Sequence, residues 1–190
     1  MRLTYSFFQP PDNAIQRNRE SKVDAVIKQI EENVPGVKFD RVNEDSEAAV
    51  RIAFDNKHPH GKTWSRVGRE AERVNSDEPT MNLSDVAGHD SGEIQEGSKE
   101  YGDIVHEFFH TLGMLHEHQH PERKFTISET GIFTLNLYRN LELMDLPAVG
   151  KDMKDEGWSK KNIRDNIVQK LKPNDIGPYS PQADGSSCMK

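Results

Sequence analysis

Residues 106–116 read His106-Glu107-Phe108-Phe109-His110-Thr111-Leu112-Gly113-Met114-Leu115-His116, and no other segment restricts the local fold as tightly. Histidines four apart share one face of an α-helix, with Cβ atoms about 5–6 Å apart, so His106 and His110 can each offer a ring nitrogen to one ion. A straight helix carries residue 116 away from that ion. Gly113 removes the difficulty, because glycine adopts φ > 0 and lets the chain turn back, bringing in His116 as a third ligand. Glu107, next to the first ligand, is placed beside the metal without having to bind it. Three protein ligands leave one coordination position for water, the mark of a catalytic zinc. With histidine at 8 of 190 positions, the five fixed letters arise by chance on the order of once in 10⁴ such chains.

The surrounding period supports a helix there. From Lys99 onward, Tyr101, Ile104, Val105, Phe108 and Leu112 fall on one stripe, which Gly113 ends. Upstream, Met1 to Phe8 alternates apolar and polar residues before Pro10-Pro11 and reads as a strand rather than a signal peptide. Ser21 followed by Asp24, with Val23, Val26, Ile27 and Ile30, predicts a capped helix stopped by Pro35-Gly36, which makes Arg17 and Arg19 a solvated approach to it. Val37, Phe39, Val50, Ile52 and Phe54 predict two half-buried strands between residues 37 and 55. A short strand or loop is expected at 62–68 and another at 80–83, and a Gly-rich acidic loop at 84–98. Beyond the motif, residues 132–143 have weak helical spacing, and a final helix is expected over 160–171 with Ser159 as its cap. Strands before residue 85 and helices after 100 indicate an α+β fold.

Composition bounds the rest. Leu, Ile, Val and Phe together account for 41 of 190 residues, just above the roughly 20% below which charged chains tend to be disordered. One domain over 1–190 is expected, with lobes 1–113 and 114–190. A net charge of −7 argues against a nucleic acid or an anionic membrane as partner, and no apolar run is long enough to span a bilayer. Cys188 is the single cysteine, so an internal disulfide and a cysteine-based zinc site are excluded.

Other clusters carry less. His118 and His120 beside Pro121, and His58 with His60, read as solvent-facing pairs. Asp85, Asp90, Glu93 and Glu96 lack the ligand order of a calcium loop. Ser187-Cys188-Met189-Lys190 fits S-x-x-K without its partner elements, so a serine nucleophile is not supported.

The extended H-E-x-x-H-x-x-G-x-x-H motif resembles that of the metzincin zinc metallopeptidases, and Glu117 directly after the third histidine is similar to the astacin branch. Leu3-Thr4-Tyr5, Trp64-Ser65-Arg66-Val67-Gly68, Thr80-Met81-Asn82-Leu83 and Gly157-Trp158-Ser159 resemble further family elements in family order. Ser187 and Met189 match the family's Met-turn, S-x-M-H-Y, whose tyrosine has no counterpart before Lys190. The resemblance implies a zincin-like fold, with a twisted mixed sheet and two helices in the first lobe, an irregular second lobe and a cleft between them. It implies a secreted, monomeric zinc endopeptidase acting on proteins or peptides, with His106, His110 and His116 as metal ligands and Glu107 as general base and acid. Gly113, Glu117 and Met189 would be supporting residues. Residues Thr80, Met81, Asn82 and Leu83 would be an edge strand that pairs with an extended substrate. A second reading, a zinc-binding module with impaired catalysis, rests on the absent tyrosine.

Overall fold

The computed structural model describes residues 1–58, 63–88, 92–116, 119, 125–127 and 133–135. The chain divides into two compact units, Met1–Met114 and Leu115–Lys190. In the first, the elements run β1 (Arg2–Phe7), α1 (Ala14–Asn33), β2 (Lys38–Arg41), β3 (Val50–Ala53), β4 (Thr63–Ser65), β5 (Met81–Leu83) and α2 (Lys99–Thr111), with 3₁₀ turns at Asp45–Glu47 and Gly68–Arg73. The five strands form one sheet in the order β2-β1-β3-β5-β4. Its internal pairs are parallel, and β4 runs antiparallel to β5 with Trp64 opposite Asn82. This is a mixed sheet in an α+β fold, as the patterning predicts. In the second unit, β6 (Phe125–Ile127) and β7 (Phe133–Leu135) pair antiparallel with Thr126 opposite Thr134. The helical reading of 132–143 is therefore corrected at Phe133–Leu135, where the Phe-Thr-Leu alternation follows the strand period of two. The helix expected over 160–171 lies outside the described residues.

One hydrophobic core sits between the sheet and both helices. Tyr5, Phe7, Phe39, Val50, Ile52, Met81 and Leu83 meet Val23, Val26, Ile27 and Ile30 of α1 and Ile104 and Phe108 of α2. Phe39 and Phe108 meet edge to face with centroids 5.1 Å apart, a favoured aromatic geometry. α1 starts eight residues before the predicted position. Its cap is Asn13, whose side chain accepts from the Gln16 N–H at 2.9 Å. The first two turns lack an apolar stripe because they bind through polar groups. Asn18, Arg19 and Lys22 donate to the carbonyls of Gly88, Val86 and Ala87 at 3.1, 2.9 and 2.9 Å. Arg19 is thus part of a clamp and not a solvated approach. Glu100, in the first turn of α2, completes the clamp by accepting from the Ala87 N–H and pairing with Lys22.

The opposite face of the sheet is organised by one cation. Arg51, 5% exposed, sits on β3 between Val50 and Ile52, which face the helices. Its guanidinium donates to the carbonyls of Glu78, Ala48, Val74 and Asn75 at 2.7, 3.1, 3.2 and 3.0 Å. β3 is consequently buried on both faces and not half-buried. No helix among the described residues is long and apolar enough to cross a membrane. Replacing Arg51 by Met keeps the apolar stem and leaves four carbonyls without their donor; urea unfolding is expected to show a loss of about 2–4 kcal/mol, and an unchanged midpoint would contradict this role.

Candidate active site

Helix α2 is set at both ends by side chain and backbone caps. Ser98 accepts from the Tyr101 N–H at 3.2 Å and starts it. At the other end the Gly113 N–H donates to the His110 carbonyl at 2.8 Å and the Met114 N–H to the Phe109 carbonyl at 3.0 Å. With Gly113 at φ +95°, this pair of bonds is a Schellman motif, so the motif glycine is the left-handed residue that closes the helix. No atom lies within 4 Å of a Cβ built on Gly113; the demand for glycine is conformational.

His106 and His110 stack along one side of α2, with ring centroids 4.7 Å apart and planes at 89°. A metal-binding nitrogen from each of His106, His110 and His116 falls in one group, all within 4.8 Å of one another. Three imidazoles at this separation suit a tetrahedral zinc with one position to spare. The Nδ1 of His110 meets the Met114 carbonyl at 2.9 Å, a contact that fixes the orientation of the ring. Burial pushes the His110 pKa down, as does the neighbouring His106, while the Met114 contact opposes them. The net effect favours the uncharged ring that metals need.

Glu107 is 6% exposed, and its buried Oε2 has no hydrogen-bond partner among the described residues. Burial first, and then the charge of Asp103, push its pKa up to about 8. A carboxylate left unsatisfied in a core is costly. Beside a cation and a water the same oxygen is satisfied, which fits the donor set of the three histidines.

The expectation for Thr80, Met81, Asn82 and Leu83 is overturned. β5 is an internal strand, paired to β3 through Ile52–Met81 and Ala53–Asn82 and to β4 through Thr63–Leu83. Met81, Asn82 and Leu83 are fully buried, Thr80 is bonded to Arg51, and the Asn82 amide is bonded to the Asp55 backbone. Among the described residues the edges of this sheet are β2 and β4, and β4 is the edge next to β5. Glu117, Met189, His118 and His120 lie outside the described residues. Of the weaker clusters, Asp85 and Asp103 both pair with Lys99, and the His58 ring packs on Trp64 at 4.8 Å. Contacts that the motif alone does not reveal are the bond between the Ser65 and Thr111 hydroxyls at 3.1 Å and the approach of Gly68 to Gly113.

Comparison with known proteins agrees with this picture. The structure of myroilysin is similar over 100% of this chain and 76% of that one, at 22% identity and a TM-score of 0.66, a likeness of fold. A crystal structure of myroilysin is matched at 19% identity over 98% of this chain and 68% of that one, with a TM-score of 0.46. No curated protein matches the sequence. The family model for Astacin, a peptidase family, matches residues 4–142, which take in the sheet, both helices and the whole histidine motif. Since that match covers well over half of the sequence, the chain belongs to the astacin family of zinc metallopeptidases.

Proposed function

We propose that the protein is a zinc-dependent endopeptidase that hydrolyses internal peptide bonds of proteins, with His106, His110 and His116 holding one zinc ion. The observation that carries this reading is the histidine group, with all three ligand atoms within 4.8 Å, beside a buried and partnerless carboxylate oxygen on Glu107. When bound, zinc supplies Lewis acidity toward a water and the scissile carbonyl. Glu107 takes the proton from that water and returns it to the leaving amine. The Met114 carbonyl keeps His110 in the tautomer that ligates.

An extended substrate is placed on β4. Among the described residues β4 is paired to β5 on one side and to no strand on the other, so the outer backbone of Thr63–Ser65 is available to an added strand. Main-chain pairing of this kind gives affinity with little sequence preference.

Two outcomes are expected. The substitution Glu107→Gln should keep stoichiometric zinc and lower kcat on casein by about 10²–10⁴; retained activity would remove Glu107 from the role of base. Removing zinc with a chelator should lower the melting temperature, because the ion binds only the folded arrangement. At a free zinc concentration a hundredfold above Kd the linkage is about 2.7 kcal/mol, on the order of 5–10 °C for a domain of this size. An unchanged melting temperature would contradict selective binding of zinc by the folded chain.

A further inference from the structure

The Schellman turn that ends α2 is backed by a second left-handed glycine. Gly68 opens the 3₁₀ turn Gly68–Arg73 with φ +47°, and a Cβ built on it would lie 3.2 Å from the Gly113 Cα and 3.7 Å from the Gly113 nitrogen. The neighbour in that contact is backbone, with no flexible side-chain end to swing aside. Any side chain at 68 therefore has to push Gly113 back by a few tenths of an ångström. Three residues earlier on the same segment, Ser65 of β4 shares a hydrogen bond with Thr111 in the last turn of α2 at 3.1 Å. The segment Ser65–Gly68 thus lies against the end of α2, bonded to it at Thr111 and close to the backbone at Gly113.

What lies next to the second point gives it a consequence. Met114 follows Gly113 directly, and its carbonyl is the group that meets His110 Nδ1 at 2.9 Å. We propose that Gly68 is a positioning residue for the metal centre: by holding Gly113 in place it aims the Met114 carbonyl at His110 and so sets the ring that ligates zinc. The inference rests on the zinc reading above and adds a residue outside the histidine motif to it. The lever is short. A displaced Gly113 carries the Met114 carbonyl with it, and loss of a hydrogen-bond partner behind a ligating histidine typically weakens metal binding by about 10–100-fold. The same segment contains β4, so the strand proposed to hold substrate and the turn that orients a ligand are one mechanical piece.

The test compares two variants of the full chain by zinc affinity, measured by competition with a chromophoric chelator, and by the visible spectrum of the cobalt-substituted protein. In Gly68→Asn the new residue tolerates a left-handed backbone, so the added Cβ is the main change. In Gly36→Ala the φ of +85° is strained but nothing lies within 4 Å of the new Cβ, giving a destabilised protein with an untouched site. Zinc affinity is expected to fall about tenfold or more in Gly68→Asn, with an altered cobalt spectrum, and to stay within about twofold of wild type in Gly36→Ala. Wild-type affinity in folded Gly68→Asn, or an equal loss in both variants, would overturn the proposal. A measurement on the wild type covers the case in which Gly68→Asn does not fold. Because coupling is reciprocal, zinc should slow hydrogen exchange at the Glu70 amide, which donates to the Val67 carbonyl at 3.0 Å; exchange indifferent to zinc would overturn the proposal too. A wild type that binds no zinc would instead sink the endopeptidase reading, and would do so before any variant is made.

Discussion

The site depends on ending a helix at one particular residue. An α-helix advances 100° per residue, so positions 106 and 110 share a face while position 116 of a continued helix would be some 9 Å further along the axis than 110. Three imidazoles can converge only if the helix stops in between. Gly113 stops it with the left-handed conformation of a Schellman motif, and the bonds that close the turn come from Gly113 and Met114 to the carbonyls of His110 and Phe109. The same turn delivers the Met114 carbonyl to His110. Termination of the helix and orientation of a ligand are therefore one event.

Holding α2 against the sheet takes both apolar and polar contacts. Ile104 and Phe108 are fully buried on the core side, which leaves His106 and Glu107, at adjacent angles, on the flank that carries the chemistry. At the start of α2, Glu100 joins the clamp that Asn18, Arg19 and Lys22 form on residues 86–88. The clamp gives the long connection from β5 a fixed end, so α2 begins at a defined place. Gly88 belongs to the same contact: a Cβ there would come within 2.4 Å of the Ile15 carbonyl oxygen. Polar residues thus do for the entry to α2 what glycine does for its exit.

How far the sequence could be read follows from which residues obey a simple period. β1, β2, β3 and the body of α2 were legible because apolar positions alternate by two or recur by three and four. The first two turns of α1 were not, since Gln16, Asn18, Arg19 and Lys22 bury polar atoms that no hydrophobic period marks; the apolar stripe begins only at Val23. The candidate histidine group was legible from spacing alone, whereas strand order was not. Period-two alternation gives the faces of a strand but not its neighbours, and so residues 80–83 read as an edge that β4 in fact occupies. Gly68 carried a faint signal, a glycine directly after a short edge strand, whose meaning depends on where Gly113 sits in space. Phe133–Leu135 shows the limit in the other direction, as three residues fit the strand period inside a stretch long enough to suggest a helix.

The proposed coordination is three histidines gathered by this turn around one zinc ion. X-ray absorption at the zinc edge, on protein reconstituted with one equivalent of metal, measures it most directly. The account predicts a first shell of nitrogen and oxygen at about 2.0–2.2 Å whose outer-shell scattering is that of three imidazoles. A sulfur shell at about 2.3 Å, or scattering from fewer than three imidazoles, would contradict it.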